Sequence, residues 1–119
     1  HTNSKVNFSF TPHLTPMFRG ILSSIYLDLK SGYKISNIQK ILKKFHNKNK
    51  FVKILPIDSL LSTNDVINTN NCLISVCKTK FKDKIIILSV IDNLIKGGAG
   101  QAVQNMNAKY NFQYYEGFR

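Results

Sequence analysis

Hydrophobic positions along this chain change their period several times, and each change marks an element. Val6, Phe8 and Phe10 alternate with polar residues, which predicts a short strand over Val6 to Phe10 running into a proline-bounded block. From Ile21 to Leu29 the side chains divide cleanly: Ile21, Ile25, Leu27 and Leu29 on one face, Leu22, Ser24, Tyr26 and Asp28 on the other. Apolar residues on both faces predict a central strand, broken by Ser31-Gly32. The period then lengthens. Ser36 reads as an N-cap, with Ile38, Ile41, Leu42 and Phe45 at helical spacing and Lys40, Lys43 and Lys44 on the opposite side. Asn47 to Asn49 ends that helix.

Phe51 to Leu55 predicts a strand halted by Pro56, and Ile57 to Asn71, rich in Ser, Thr, Asn and Asp, predicts mostly loop. Cys72 to Lys80 and Lys84 to Ile91 predict a hairpin around Lys82-Asp83, its apolar run Ile85-Ile86-Ile87-Leu88 buried on both faces. After Gly97-Gly98-Ala99-Gly100, the residues Ala102, Val103, Met106 and Tyr110 return to helical spacing. The order of elements defines an α+β domain, a mostly antiparallel sheet with helices on one face. No internal repeat or linker interrupts it.

Composition narrows the class. At 119 residues with 43% hydrophobic content the chain is one domain at most and can bury a core. It opens on His1 rather than Met, which reads as a fragment or processed piece, and no signal-peptide pattern or membrane-length apolar run occurs. It reads as soluble. The formal charge is +11, but the excess is Lys spread among Asn and Ile, with only Arg19 and Arg119 as arginines. Such a field favours anionic partners, whether nucleic acid or small substrates. The lysines on the helix face read as a solvated surface. Cys72 and Cys77, five apart on one strand, point to opposite faces and read as buried structural thiols of a reducing compartment rather than a metal pair. No residues form a metal site, and His46 has no partner in the sequence.

Two constellations could carry chemistry. In Phe10-Thr-Pro-His13-Leu-Thr-Pro-Met-Phe-Arg19-Gly20 the prolines hold His13 in a stiff, extended segment. An imidazole can transfer protons near neutral pH and an arginine can clamp a carboxylate, so the pair fits a proton-transfer group beside a substrate anchor. The plain alternative is a structural loop whose histidine caps a backbone group. In Asp92-Asn93-Leu-Ile-Lys96-Gly97-Gly98-Ala99-Gly100-Gln101 a Gly-rich turn opens a helix, where backbone N–H groups can face an anion; a simply flexible helix start is equally compatible. It is neither a P-loop nor a Rossmann fingerprint. No nucleophile is in evidence: neither cysteine sits in a Gly/Pro-rich turn at a helix start, and no Gly-x-Ser-x-Gly occurs.

Those two blocks resemble the corresponding segments of N-acetyl-gamma-glutamyl-phosphate reductases, the second running from Asp92 to Asn107, and Leu61-Ser-Thr-Asn-Asp-Val-Ile-Asn-Thr-Asn-Asn-Cys72 is a third match. All three occur in the family's order. The resemblance implies the C-terminal part of an NADP-dependent reductase of arginine biosynthesis, with the fold of the C-terminal domain of glyceraldehyde-3-phosphate dehydrogenase-like enzymes. The family converts N-acetyl-glutamyl phosphate to the semialdehyde and phosphate through a cysteine thioester. Its histidine acid/base corresponds to His13, its substrate arginine to Arg19, and Asn93, Gly97 and Gly98 fall where the cofactor (NADPH) would lie.

The resemblance further implies a substrate-binding and dimerisation domain over residues 1–91, and a C-terminal helix over 92–119 that returns to an NADP-binding N-terminal half. That helix would carry an apolar face of Ala102, Val103 and Met106. The family's Pro-Gly-Cys motif is missing here, so neither Cys72 nor Cys77 inherits the nucleophile's role, and the chain alone should be inactive. Its partners would be an anionic acyl phosphate, the N-terminal half and further copies of itself as a dimer or tetramer, in the cytoplasm, with no membrane and no nucleic acid. A basic nucleic-acid-binding module and a non-catalytic dimerisation domain are the competing readings; clustered arginines and aromatics interleaved with basic residues, which the first would need, are lacking.

Overall fold

The computed structural model describes residues 6–118. The element order is β1 (Ile21–Asp28), α1 (Ile35–Phe45), β2 (Val52–Ile54), a 3-10 turn at Thr63–Asp65, β3 (Cys72–Lys78), β4 (Lys84–Ile91), a π-type turn at Ile95–Ala99 and α2 (Gly100–Lys109). The four strands form one sheet in the order β1-β4-β3-β2. β1 and β3 both run antiparallel to β4, while β2 runs parallel to β3, so the sheet is mixed but mostly antiparallel. The parallel step follows from connection: α1 lies between β1 and β2, and a long loop carries the chain from β2 back to the start of β3.

Register divides the sheet into two faces. One carries Ile21, Ile25 and Leu27 of β1 with Ile85, Ile87 and Ile91 of β4, and Cys72, Ile74 and Val76 of β3. Helix α1 covers the β2–β3 side of this face, and its Ile38 shares a small pocket with Leu27 and Ile85, while Ile21 and Ile25 stay half-exposed. The turn before α2 lies on the same face, with Gly97 against the Ile91 side chain. Helices on one face is therefore what forms. The other face carries Leu22 and Tyr26 of β1, Ile86, Leu88 and Val90 of β4, and Leu73, Ser75 and Cys77 of β3. The loop after β2 reaches it, with the Ser75 hydroxyl donating to the Pro56 carbonyl. Over β1 it stays open, leaving Leu22 44% and Tyr26 74% exposed.

Four sequence expectations need correction. Val6 to Phe10 forms no strand: no neighbouring strand takes up its backbone groups, and Val6, Phe8 and Phe10 are exposed. β1 is an edge strand, exposed along its whole length, rather than central. The N-cap of α1 is Lys34 rather than Ser36; the Asn37 side-chain oxygen accepts from the Lys34 amide at 2.8 Å, closing the first turn from within. The cysteines are half-buried, not buried, with Cys72 beside the Ser89 hydroxyl and Cys77 beside that of Ser75.

The segment after α2 folds back onto the domain. Tyr114 and Phe118 pack on Phe51 with ring centroids 5.4 and 4.8 Å away, and the Tyr114 hydroxyl donates to Asn49. Buried Asn107 donates to the Glu116 carbonyl. Of the expected apolar face on α2, Ala102 and Met106 remain exposed and Val103 is half-buried. Among the described residues no helix is long and apolar enough to cross a membrane.

Candidate functional site

The register of β1 on β4 places Ile21 opposite Ile91, so the residues before the one strand and after the other meet at the same end of the sheet. Arg19-Gly20 thus faces Asp92-Asn93, although 73 positions separate them. The Asp92 carboxylate is fully buried. It accepts from the Leu94 and Ile95 amides at 2.8 and 2.9 Å, from the Asn68 amide at 2.8 Å, and from Arg19 Nε at 2.9 Å at its nearer oxygen. Burial alone pushes this carboxyl up, but the Ile95, Asn68 and Leu94 amides and the Arg19 guanidinium outweigh it and hold it below the ordinary value of 3.8. It stays ionised.

Beside it, the Asn93 side-chain oxygen accepts from the Gly20 amide at 2.8 Å. Gly20 has φ +108°, and a Cβ there would come within 2.7 Å of the Thr63 side chain, so the position needs glycine both in conformation and in space. Three segments therefore meet at one knot: the proline-bounded block, the Leu61–Cys72 loop and the segment leading to α2.

Sequence reasoning placed Arg19 and Asn93 in a site but passed over the carboxylate and the glycine that fix them. The signal for Asp92 was present. An aspartate two and three residues before amides that open a helix is a favoured cap. Arg19 uses only its Nε toward Asp92; its terminal nitrogens have no hydrogen-bond partner among the described residues, and neither is a buried unpartnered atom.

His13 makes no hydrogen bond to this knot among the described residues. It is exposed, and its Nδ1 sits 3.1 Å from the Thr11 carbonyl oxygen. A carbonyl only accepts, so Nδ1 is the donor of this bond.

The Gly-rich turn does not present an anion cradle. The Gly97 amide donates to the Asp92 carbonyl and the Ala99 amide to the Leu94 carbonyl, while Leu94 and Ile95 are capped by the Asp92 side chain. What Gly97 and Gly98 offer is exposed backbone without side chains; a Cβ at Gly98 would meet only the Asn93 carbonyl, at 3.4 Å. Beside it, the Asn93 side-chain nitrogen makes no hydrogen bond among the described residues.

Behind the turn, Lys96 donates to Gln104 at 2.6 Å and Gln101 at 3.0 Å, and burial pushes its ammonium down despite nearby Cys72. Gln104 accepts in turn from buried Asn70. Gly100 lets α2 close on this pair, since a Cβ there would stand 2.2 Å from the Asn70 side-chain oxygen. Among the described residues no group of His, Cys, Asp and Glu could hold a metal.

The mostly antiparallel four-stranded sheet with helices on one face has its counterpart in a known family. Residues 1–93 match the family model described as "Semialdehyde dehydrogenase, dimerisation domain", and the chain belongs to that family. Its relatives are N-acetyl-gamma-glutamyl-phosphate reductases. The Clostridium botulinum (strain Eklund 17B / Type B) enzyme is 48% identical over 97% of this chain and 33% of its own length. The Vesicomyosocius okutanii enzyme is 52% identical over 89% and 30%. The chain thus spans about a third of the length of the curated relatives it matches. Among solved structures, aspartate semialdehyde dehydrogenase II of Vibrio cholerae superposes with a TM-score of 0.58 at 18% identity, covering 82% of this chain and 29% of that one. That likeness concerns the fold alone.

Proposed function

We propose that this chain is the substrate-anchoring and dimerising part of an NADP-dependent reductase that converts N-acetyl-glutamyl 5-phosphate to N-acetyl-glutamate 5-semialdehyde and phosphate, a step of arginine biosynthesis in the cytoplasm. One observation carries the reading: the two family-like blocks, far apart in sequence, are tied together by the Arg19–Asp92 and Gly20–Asn93 bonds. On this reading residues 1–91 hold substrate and partner subunit, and 92–119 turn toward an NADP-binding half supplied by the rest of the enzyme.

Each residue has a part that its surroundings permit. The Arg19 terminal nitrogens hold a carboxylate of the substrate by paired bonds. His13 Nε2 takes the proton of an attacking thiol from the other half, so that the thiolate displaces phosphate from the acyl carbon. After hydride reaches the thioester carbon, the adduct collapses to the semialdehyde as its C–S bond breaks, and the imidazolium returns its proton to the departing thiolate. NADPH, when bound, supplies the hydride. Asn93, through its free amide nitrogen, and the bare backbone of Gly97 and Gly98 form the surface that a nicotinamide ring would lie against. Cys72 and Cys77 take no part, and the chain alone is inactive.

The open face carrying Leu22 and Tyr26 is where a second copy packs. A nucleic-acid-binding role finds nothing to match in a semialdehyde dehydrogenase family.

The test joins this chain to a reductase N-terminal portion bearing a Pro-Gly-Cys motif and supplies N-acetyl-glutamyl phosphate. NADPH oxidation with equal release of phosphate is expected, and none from the chain alone. A folded joined protein with no turnover would overturn the reading.

A further inference from the structure

The structure assigns to Asp92 the role of a positioning residue that aims the Arg19 guanidinium. The inference rests on the reading that Arg19 anchors the substrate, and deepens it. A lone arginine on an extended loop would sample many rotamers and lose that freedom on binding. Here one edge of the fork is fixed before any ligand arrives. Arg19 Nε points at a carboxylate that is itself immobile, because three backbone amides from two other segments hold it. The backbone carrying Arg19 is pinned at the next residue, where Gly20 donates to Asn93. With Nε committed, the remaining face of the guanidinium is the one made by its two terminal nitrogens, the geometry that meets a carboxylate with two parallel bonds.

The arrangement also tunes charge. Asp92 offsets Arg19, so the site has little net charge, and affinity for an anion then depends on aligned hydrogen bonds rather than on attraction at a distance. A misaligned Arg19 would therefore lose more than an isolated arginine would. Lys96, the lysine of the segment that follows Asp92, is already held by Gln104 and Gln101.

The test uses the joined enzyme in a double-mutant cycle of Asp92→Asn and Arg19→Lys. If Asp92 acts through Arg19, D92N raises KM for the acyl phosphate about tenfold with kcat little changed, and adds nothing once Arg19 is Lys. Independent effects that multiply, or a fall in kcat with KM unchanged, would overturn the assignment. Absence of turnover in the unaltered joined enzyme would instead sink the reductase reading, so the two failures are distinct.

Because D92N could fail to fold, a second measurement uses the unaltered chain, whose only arginines are Arg19 and Arg119. With arginine labelled by ¹⁵N, titration with N-acetylglutamate should shift the Arg19 terminal signals and leave a protected Nε–H in place. A ligand that instead releases the Nε–H from protection would show that Arg19 leaves Asp92 to bind, and would overturn the proposal.

Discussion

Replacing Asp92 with Asn should cost this domain much of its stability. The carboxylate receives three backbone amides and one guanidinium with no water around it. An Asn keeps one acceptor oxygen, which can still cap Leu94 and Ile95. Its NH2 group then faces two other donors, the Asn68 amide and Arg19 Nε. Each lost bond to a charged group is worth about 1.5–3 kcal/mol, and removing one partner of a buried pair costs about 3–5 kcal/mol in all. Against a typical stability of about 5–15 kcal/mol, that is a large share.

Urea unfolding followed by circular dichroism reads the loss as a lower midpoint at unchanged slope. Acid adds an independent check. The folded Asp92 carboxyl lies below its ordinary value of 3.8, so its contribution is complete above that pH and is lost as pH falls from there through the lower folded value. D92N should lack this component of acid unfolding. A D92N protein within about 0.5 kcal/mol of the original, or one with the same acid profile, would refute the reasoning, since that is the scale of an inconsequential surface change.

Other substitutions probe the same architecture elsewhere. Gly20→Ala places a Cβ at positive φ against Thr63, and should lower stability by about 1–3 kcal/mol on thermal unfolding. Gly100→Ala gains helix propensity worth about 1 kcal/mol but drives a methyl into Asn70 and the Ile95 carbonyl; a net loss in melting temperature is expected. Tyr26→Glu on the open sheet face puts a charge where a second copy would pack, and should shift the species seen by light scattering toward monomer while leaving the circular dichroism spectrum unchanged.

Much of this fold was legible in the sequence because period and punctuation agreed. The run Ile85-Ile86-Ile87-Leu88 reads as a strand and forms one, although only Ile85 of the four is buried rather than the whole run, and the Ile38/Ile41/Leu42/Phe45 spacing reads as an amphipathic helix and forms one. Failures came where a local pattern lacked the partner it was written for. Val6, Phe8 and Phe10 alternate correctly yet pair with nothing among the described residues. β1 reads as central from its two apolar faces and lies at an edge.

The site was legible in part. His13, Arg19 and Asn93 stood out by residue type and by resemblance. The knot that joins two of them depends on β1 pairing with β4 in one register, which no local window of sequence contains. Likewise, the amides of the glycine turn look free in sequence and are consumed in three dimensions by a π-type turn.

The most direct measurement of the central claim is the turnover of the joined reductase with His13→Ala. Loss of a general acid–base group predicts a fall of about 100-fold or more in kcat for semialdehyde formation, with the protein still folded. A His13→Ala enzyme that turned over N-acetyl-glutamyl phosphate at the original rate would contradict the account.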